Sequence, residues 1–133
     1  DPIKSFKIAK KKGFKSSKFA KIGLYDFADI DDNFISIHHF LKWYKFGFSR
    51  LFDNLSIEIR NKRISRSKAM DIIKKKGLDI PKNDIRIFCK YLNISHKHFF
   101  QICEKFRNKD IWKYDTKEKK WKIPNFLISN FGW

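Results

Sequence analysis

The run from Asn33 to Phe46, NFISIHHFLKWYKF, decides the fold. Phe34, Ile37, Leu41, Tyr44 and, just beyond, Phe48 recur at spacings of three and four, the period of a helix with one buried face. Phe40 and Trp43 widen that face. The spacing therefore predicts a central helix over residues 33–46, which Gly47 ends.

Working outward, the chain reads as mostly helical. Asp1-Pro2 suits an N-cap followed by the first helical position, with Ile3, Phe6, Ile8 and Ala9 behind it and Gly13 as a stop. Residues 14–32 read as irregular, a Lys/Ser-rich link running into an acidic turn. Asp31 or Asp32 is expected to cap the central helix. A further helix is expected from Asp53 to Asn61. Ser65 caps another through Lys76, with Gly77 ending it. Pro81 starts the next, with Ile85, Phe88, Cys89 and Leu92 inward. Ser95 caps the last, with Phe99, Ile102, Cys103 and Phe106 inward. Trp121 to Ile123 reads as a short strand or an extended arm. Along the chain this organises as an N-terminal helix and basic link (1–22), a substrate-side block (23–66), a helical hairpin-like region (67–107) and an aromatic tail (108–133).

A chain of 133 residues with 42% hydrophobic and 17% aromatic content is sized for one packed domain, not a disordered tail. No apolar run is long enough to cross a bilayer and no signal-peptide core is present. Cys89 and Cys103 resemble neither a disulfide framework nor a zinc ribbon, so a reducing, cytoplasmic compartment fits best. The formal charge of +17 invites a nucleic-acid reading. Against it, Lys, Ile, Phe and Asn dominate as they do when codons drift toward A and T. The charge is spread along the chain, and no RNA-binding aromatic motif, zinc finger or basic zipper region is present.

Four of the six arginines, Arg50, Arg60, Arg63 and Arg66, fall between Gly23 and Arg66, in a chain that otherwise uses lysine. A guanidinium grips phosphate or carboxylate with a planar fork, which an ammonium cannot do. Glu58 and Arg60 lie two apart and face different ways on a helix, which points to separate partners. Arg63 and Arg66 flank the Ser65 cap, where a helix N-terminus favours an anion. Arg50 with Asp53 reads equally as a local ion pair or as part of a phosphate site. Asp26 and Asp29 could orient a sugar hydroxyl or a divalent ion; pairing with lysines is the plainer reading. His38 and His39 diverge by about 100° on a helix, so core or contact roles outweigh a shared metal. His96 and His98 read as surface, and Trp112, Trp121 and Trp133 as packing anchors.

Three blocks, GLYDFADIDD (23–32), HHFLKWYKFGFSRLFDNLSIEIRNKRISRSKA (38–69) and KFRNKDIWK (105–113), resemble the C-terminal region of bacterial N-acetyl sugar amidotransferases of surface-glycan synthesis. The resemblance runs from Asp1 to about Ile128. It implies a mainly α chain that forms the C-terminal helical segment of a larger α/β ATP-pyrophosphatase enzyme. In that family ATP, with Mg, adenylylates the acetamido oxygen of a nucleotide sugar. Ammonia from a glutaminase and a cyclase-like partner then displaces AMP and leaves an acetamidino group. The family's SGGxDS nucleotide loop and paired cysteines are missing here, and five glycines form no phosphate cradle. ATP and Mg are thus expected mainly on an N-terminal domain outside this chain. The chain alone is not expected to bind a cofactor or to catalyse. Within the resemblance, Arg50, Arg60, Arg63, Arg66, Glu58, Asp53, Asp26 and Asp29 are the candidate substrate-binding residues. The competing class is a small basic module that binds RNA or another polyanion.

Overall fold

The computed structural model describes residues 1–76 and 80–126. Gly77 and Trp133, expected as a helix stop and a packing anchor, lie outside the described residues. Among the described residues six helices and one hairpin follow in order: α1 (Pro2–Lys11), α2 (Ile35–Phe46), α3 (Arg50–Arg60), α4 (Arg66–Lys76), α5 (Lys82–Tyr91), α6 (His96–Lys105), β1 (Lys113–Asp115) and β2 (Lys120–Lys122). The protein is mainly α, as the periodicity predicts.

Helix α2 is the centre. Ile37, Phe40, Trp43 and Tyr44 are buried, and its apolar face packs on α5 and α6 through Ile85, Cys89, Phe99 and Cys103. Phe34 and Leu41 are half-buried against the same core. Trp112 closes the far side, edge-on to Trp43 with ring centroids 5.0 Å apart. Its indole Nε1 donates to the Tyr44 carbonyl at 3.0 Å, and the Asn108 amide donates to the same carbonyl at 3.1 Å. A carbonyl left over at the end of α2 thus finds partners on the segment that follows α6. The second core joins α3 to α4 through Leu51, Leu55, Ala69 and Ile73.

The hairpin pairs Tyr114 with Trp121 in antiparallel register, confirming a short strand at 121. Asp115 accepts Lys122 Nζ and the amides of Lys117 and Glu118, which holds its carboxyl down at about 2.

Several local expectations shift. Helix α3 begins at Arg50, three residues before Asp53, because Leu51 must join Leu55 in the second core. The α2 N-cap position is Phe34. Asp32 instead accepts the Phe34 amide at 2.6 Å, one turn ahead of the helix. Leu92 and Phe106, expected inward, are 46% and 44% exposed. They are the C-cap residues of α5 and α6, where the chain has already left the buried face. Ile8 also faces outward.

Gly47 ends α2 in the left-handed region at φ +72°, and a Cβ there would lie 2.5 Å from Ile123 Cδ1. Gly47→Ala should therefore lower stability by about 1–2 kcal/mol from the backbone alone. Thermal unfolding of the variant checks this, and an unchanged midpoint would show that the turn is not strained.

Candidate functional site

Helix α3 carries a charged cluster at each end. At its start, Arg50 forks onto Asp29: Nε donates to Oδ2 at 3.0 Å and Nη2 to Oδ1 at 3.2 Å. Asp29 adopts φ +58°, which turns its side chain from the irregular 14–32 segment toward α3. His39, on α2, brings Nε2 to 3.7 Å from the same carboxylate. Burial and then the Arg50 charge lower the His39 pKa, against the pull of Asp29, so the imidazole is neutral near pH 7. Its Nδ1 is buried and meets no hydrogen-bond partner among the described residues. One turn along, Lys42 Nζ sits 2.6 Å from Asp53 and 4.5 Å from the Phe48 ring. Beside these groups lies a cavity of about 270 Å³, lined by His38, His39, Lys42, Lys45, Phe46 and Phe106.

At the other end of α3, Glu58 is buried. It accepts the Tyr25 hydroxyl, Arg63 Nε at 2.6 Å and Arg63 Nη2 at 2.8 Å. Arg63 Nη1 reaches Asp1 at 2.8 Å, and Asp1 also caps α1 by accepting the Ile3 amide. Arg63 therefore fastens the start of α1 to the end of α3. The Arg63 hydrogen bonds hold the Glu58 carboxyl below its ordinary range, and burial with the Glu58 contact raises Tyr25 to about 12.

The candidate residues thus sort by geometry. Arg50 meets Asp29, not Asp53, and Glu58 meets Arg63, not Arg60. Asp26 is half-buried and its carbonyl accepts the Ser17 amide. Arg60 is exposed, its Nε donating to the Ser56 carbonyl at 3.4 Å. Arg66 opens α4 after the Ser65 cap, which accepts the Lys68 amide. There it lines a cavity of about 200 Å³ with Phe52, Leu55, Ile59, Met70 and Phe126. Arg50 and Arg60 stand ten residues apart on one helix, about 15 Å, so no single phosphate meets both.

Three contributors escape a sequence reading. Tyr25 seals Glu58. Asn54, fully buried on α3, accepts the Leu24 amide at 3.0 Å and ties the 14–32 segment down. Arg107 is enclosed by Tyr44, Trp112 and Trp121, with its Cζ 4.6, 4.9 and 5.0 Å from the ring centroids, and it forks onto Glu104. The same lysine-to-arginine switch marks Arg107 within KFRNKDIWK. His96 and His98 are exposed, as expected; of the adjacent pair, His39 is buried while His38 is exposed and does not enter the core. Among the described residues no group of three or more His, Cys, Asp or Glu is placed to hold a metal.

The family model described as LPS biosynthesis protein WbpG-like, C-terminal domain, matches residues 14–127. The chain belongs to this family. No curated protein and no solved structure matches it significantly. The WbpG-like match covers both charged clusters, all four arginines of the block and the α2 core. It leaves all of α1, and with it Asp1, outside. No helix among the described residues is long and apolar enough to cross a membrane.

Proposed function

We propose that the chain is the C-terminal part of an ATP-dependent N-acetyl sugar amidotransferase. The enzyme would convert an acetamido group of a nucleotide sugar to an acetamidino group with ammonia, in the cytoplasm, for surface polysaccharide. The observation that carries this reading is the WbpG-like C-terminal match over 14–127, joined to the three resembling sequence blocks. ATP and Mg do not fit the residues of this chain, because no Gly-rich loop precedes a helix and no carboxylate cluster among the described residues could hold the ion. They belong to an N-terminal ATP-pyrophosphatase domain, with a glutaminase and a cyclase-like subunit supplying ammonia. This chain then supplies the nucleotide-sugar side of the cleft. Arg60 and Arg66 are exposed and form no ion pair among the described residues. Arg50 and Arg63 hold Asp29 and Glu58 in place, with Asp26 and Asp53 at the margins.

The test is calorimetric titration of ATP and of the nucleotide sugar against Arg→Lys variants at positions 50, 60, 63 and 66 in the full-length enzyme. A forked phosphate contact contributes on the order of 1.5–3 kcal/mol, so losing one should weaken sugar-nucleotide binding roughly tenfold or more. ATP binding should hold. Arg60→Lys and Arg66→Lys read binding without disturbing an internal carboxylate. Parent-like binding by all four variants would sink the assignment, and loss of ATP in place of the sugar would mean the cleft is the other way round.

A further inference from the structure

The stretch from Pro2 to Leu24 holds eight lysines and not one Asp or Glu. The neighbouring Asp1 is held by Arg63, and among the described residues Lys21 alone of the eight reaches a carboxylate, Asp84 at 3.8 Å. None of Lys4, Lys7, Lys10, Lys11, Lys12, Lys15 and Lys18 forms an ion pair among the described residues. Helix α1 has an inner face and an outer one. Phe6 turns inward and stacks on Phe27 with centroids 4.2 Å apart, and Phe27 stacks on Tyr25. Two positions on, Ile8 points the other way and is 65% exposed, with Lys4 and Lys11 beside it at helical spacing. Phe19, beyond the helix, is 73% exposed with Lys18 Nζ 5.5 Å from its ring.

We propose that the outer face of residues 2–21 docks on an anionic phospholipid bilayer. Apolar side chains standing out among unpaired lysines are what a headgroup layer accepts: the Lys stems lie along the interface while Ile8 and Phe19 enter it. Each lysine near an anionic surface contributes about fivefold in partitioning. A nucleic acid is the weaker fit. No arginine stands among these residues, and of the two side chains that stand out only Phe19 could stack on a base. The face is separate from the arginines proposed for the nucleotide sugar, so loss of vesicle binding and loss of sugar binding read different surfaces.

The experiment is sedimentation of the 133-residue chain with vesicles of phosphatidylcholine plus phosphatidylglycerol, and with phosphatidylcholine alone. Binding is expected only with the anionic vesicles and should fall steeply with salt. Lys4→Glu with Lys11→Glu changes four charge units and should cut it roughly several hundredfold. Ile8→Ser with Phe19→Ser should cut it roughly tenfold at unchanged charge. Far-UV circular dichroism checks that the variants stay folded, since Phe6 and the Asp1–Arg63 pair are left intact. Equal binding to neutral vesicles, no binding at all, or indifference to the Ile8 and Phe19 changes overturns the proposal. Tighter binding of single-stranded RNA than of anionic vesicles, by fluorescence anisotropy, overturns it as well.

Discussion

Trp112→Ala should cost about 3–5 kcal/mol of unfolding free energy, the largest effect of any single substitution argued for this chain. Trp112 is fully buried, stacks edge-on to Trp43 and forms one wall of the enclosure around Arg107. Its indole also satisfies the Tyr44 carbonyl at the end of α2. Truncation therefore opens a cavity, removes a hydrogen bond and strips an aromatic face from a guanidinium whose side chain is only 1% exposed. Small domains hold about 5–15 kcal/mol in all, so the variant should stand near the edge of folding. Trp112→Phe keeps a ring against Arg107 and Trp43 but loses the indole donor, and about 1–3 kcal/mol is expected. Urea unfolding followed by circular dichroism measures both. A loss under about 1 kcal/mol for the alanine variant would mean that the segment after α6 does not close the core.

Glu58→Ala is expected to cost about 2–3 kcal/mol, because Tyr25 and Arg63 lose a shared buried acceptor. The value falls below the buried-pair range of about 3–5 kcal/mol, since the Arg63 side chain is 27% exposed and water can reach it. The pH dependence gives the sharper test. Hydrogen bonds from Arg63 depress the Glu58 carboxyl, so the stabilisation is present above the unfolded value of about 4.5 and is lost as pH falls through the folded value below it. Burial first, and the Glu58 contact second, raise Tyr25 from 10.0 to about 12. Its contribution is complete below pH 10 and is lost as pH climbs from 10 toward 12. The stability gap between parent and Glu58→Gln should thus be wide near neutrality and shrink below about pH 4.5. Urea midpoints across pH decide it. A gap that stays constant into acid would show that the carboxylate charge is not what Arg63 holds.

The arginine block shows where a linear reading stops. Enrichment of Arg over Lys between Gly23 and Arg66 did point to guanidinium forks, and two forks exist. Both grip carboxylates of this chain: Arg50 takes Asp29, 21 positions back, and Arg63 takes Glu58, five positions back. Fork chemistry is written in residue type, but phosphate and carboxylate look alike to a guanidinium. Which anion is met depends on what the fold carries alongside. Asp53 was the nearer candidate for Arg50. Once α3 begins at Arg50, however, Asp53 sits in its first turn beside Lys42 of α2, and Asp29 approaches Arg50 from the loop.

Local features were legible because their physics is local. The wide apolar face of α2 follows from side-chain period, Gly47 from its left-handed φ, and the caps at Asp1, Ser65 and Ser95 from hydroxyl or carboxylate oxygens that reach amides two or three residues on. The family, too, was legible in three contiguous blocks, and its match spans residues 14–127. The tertiary structure alone decided the partners of Asp29, Glu58, Asn54 and Arg107, and which side of α1 stays outside. Each of those depends on elements distant in sequence arriving at one place. There, a buried charge or amide is stable only when a complementary group meets it, and no periodicity along the chain encodes that meeting.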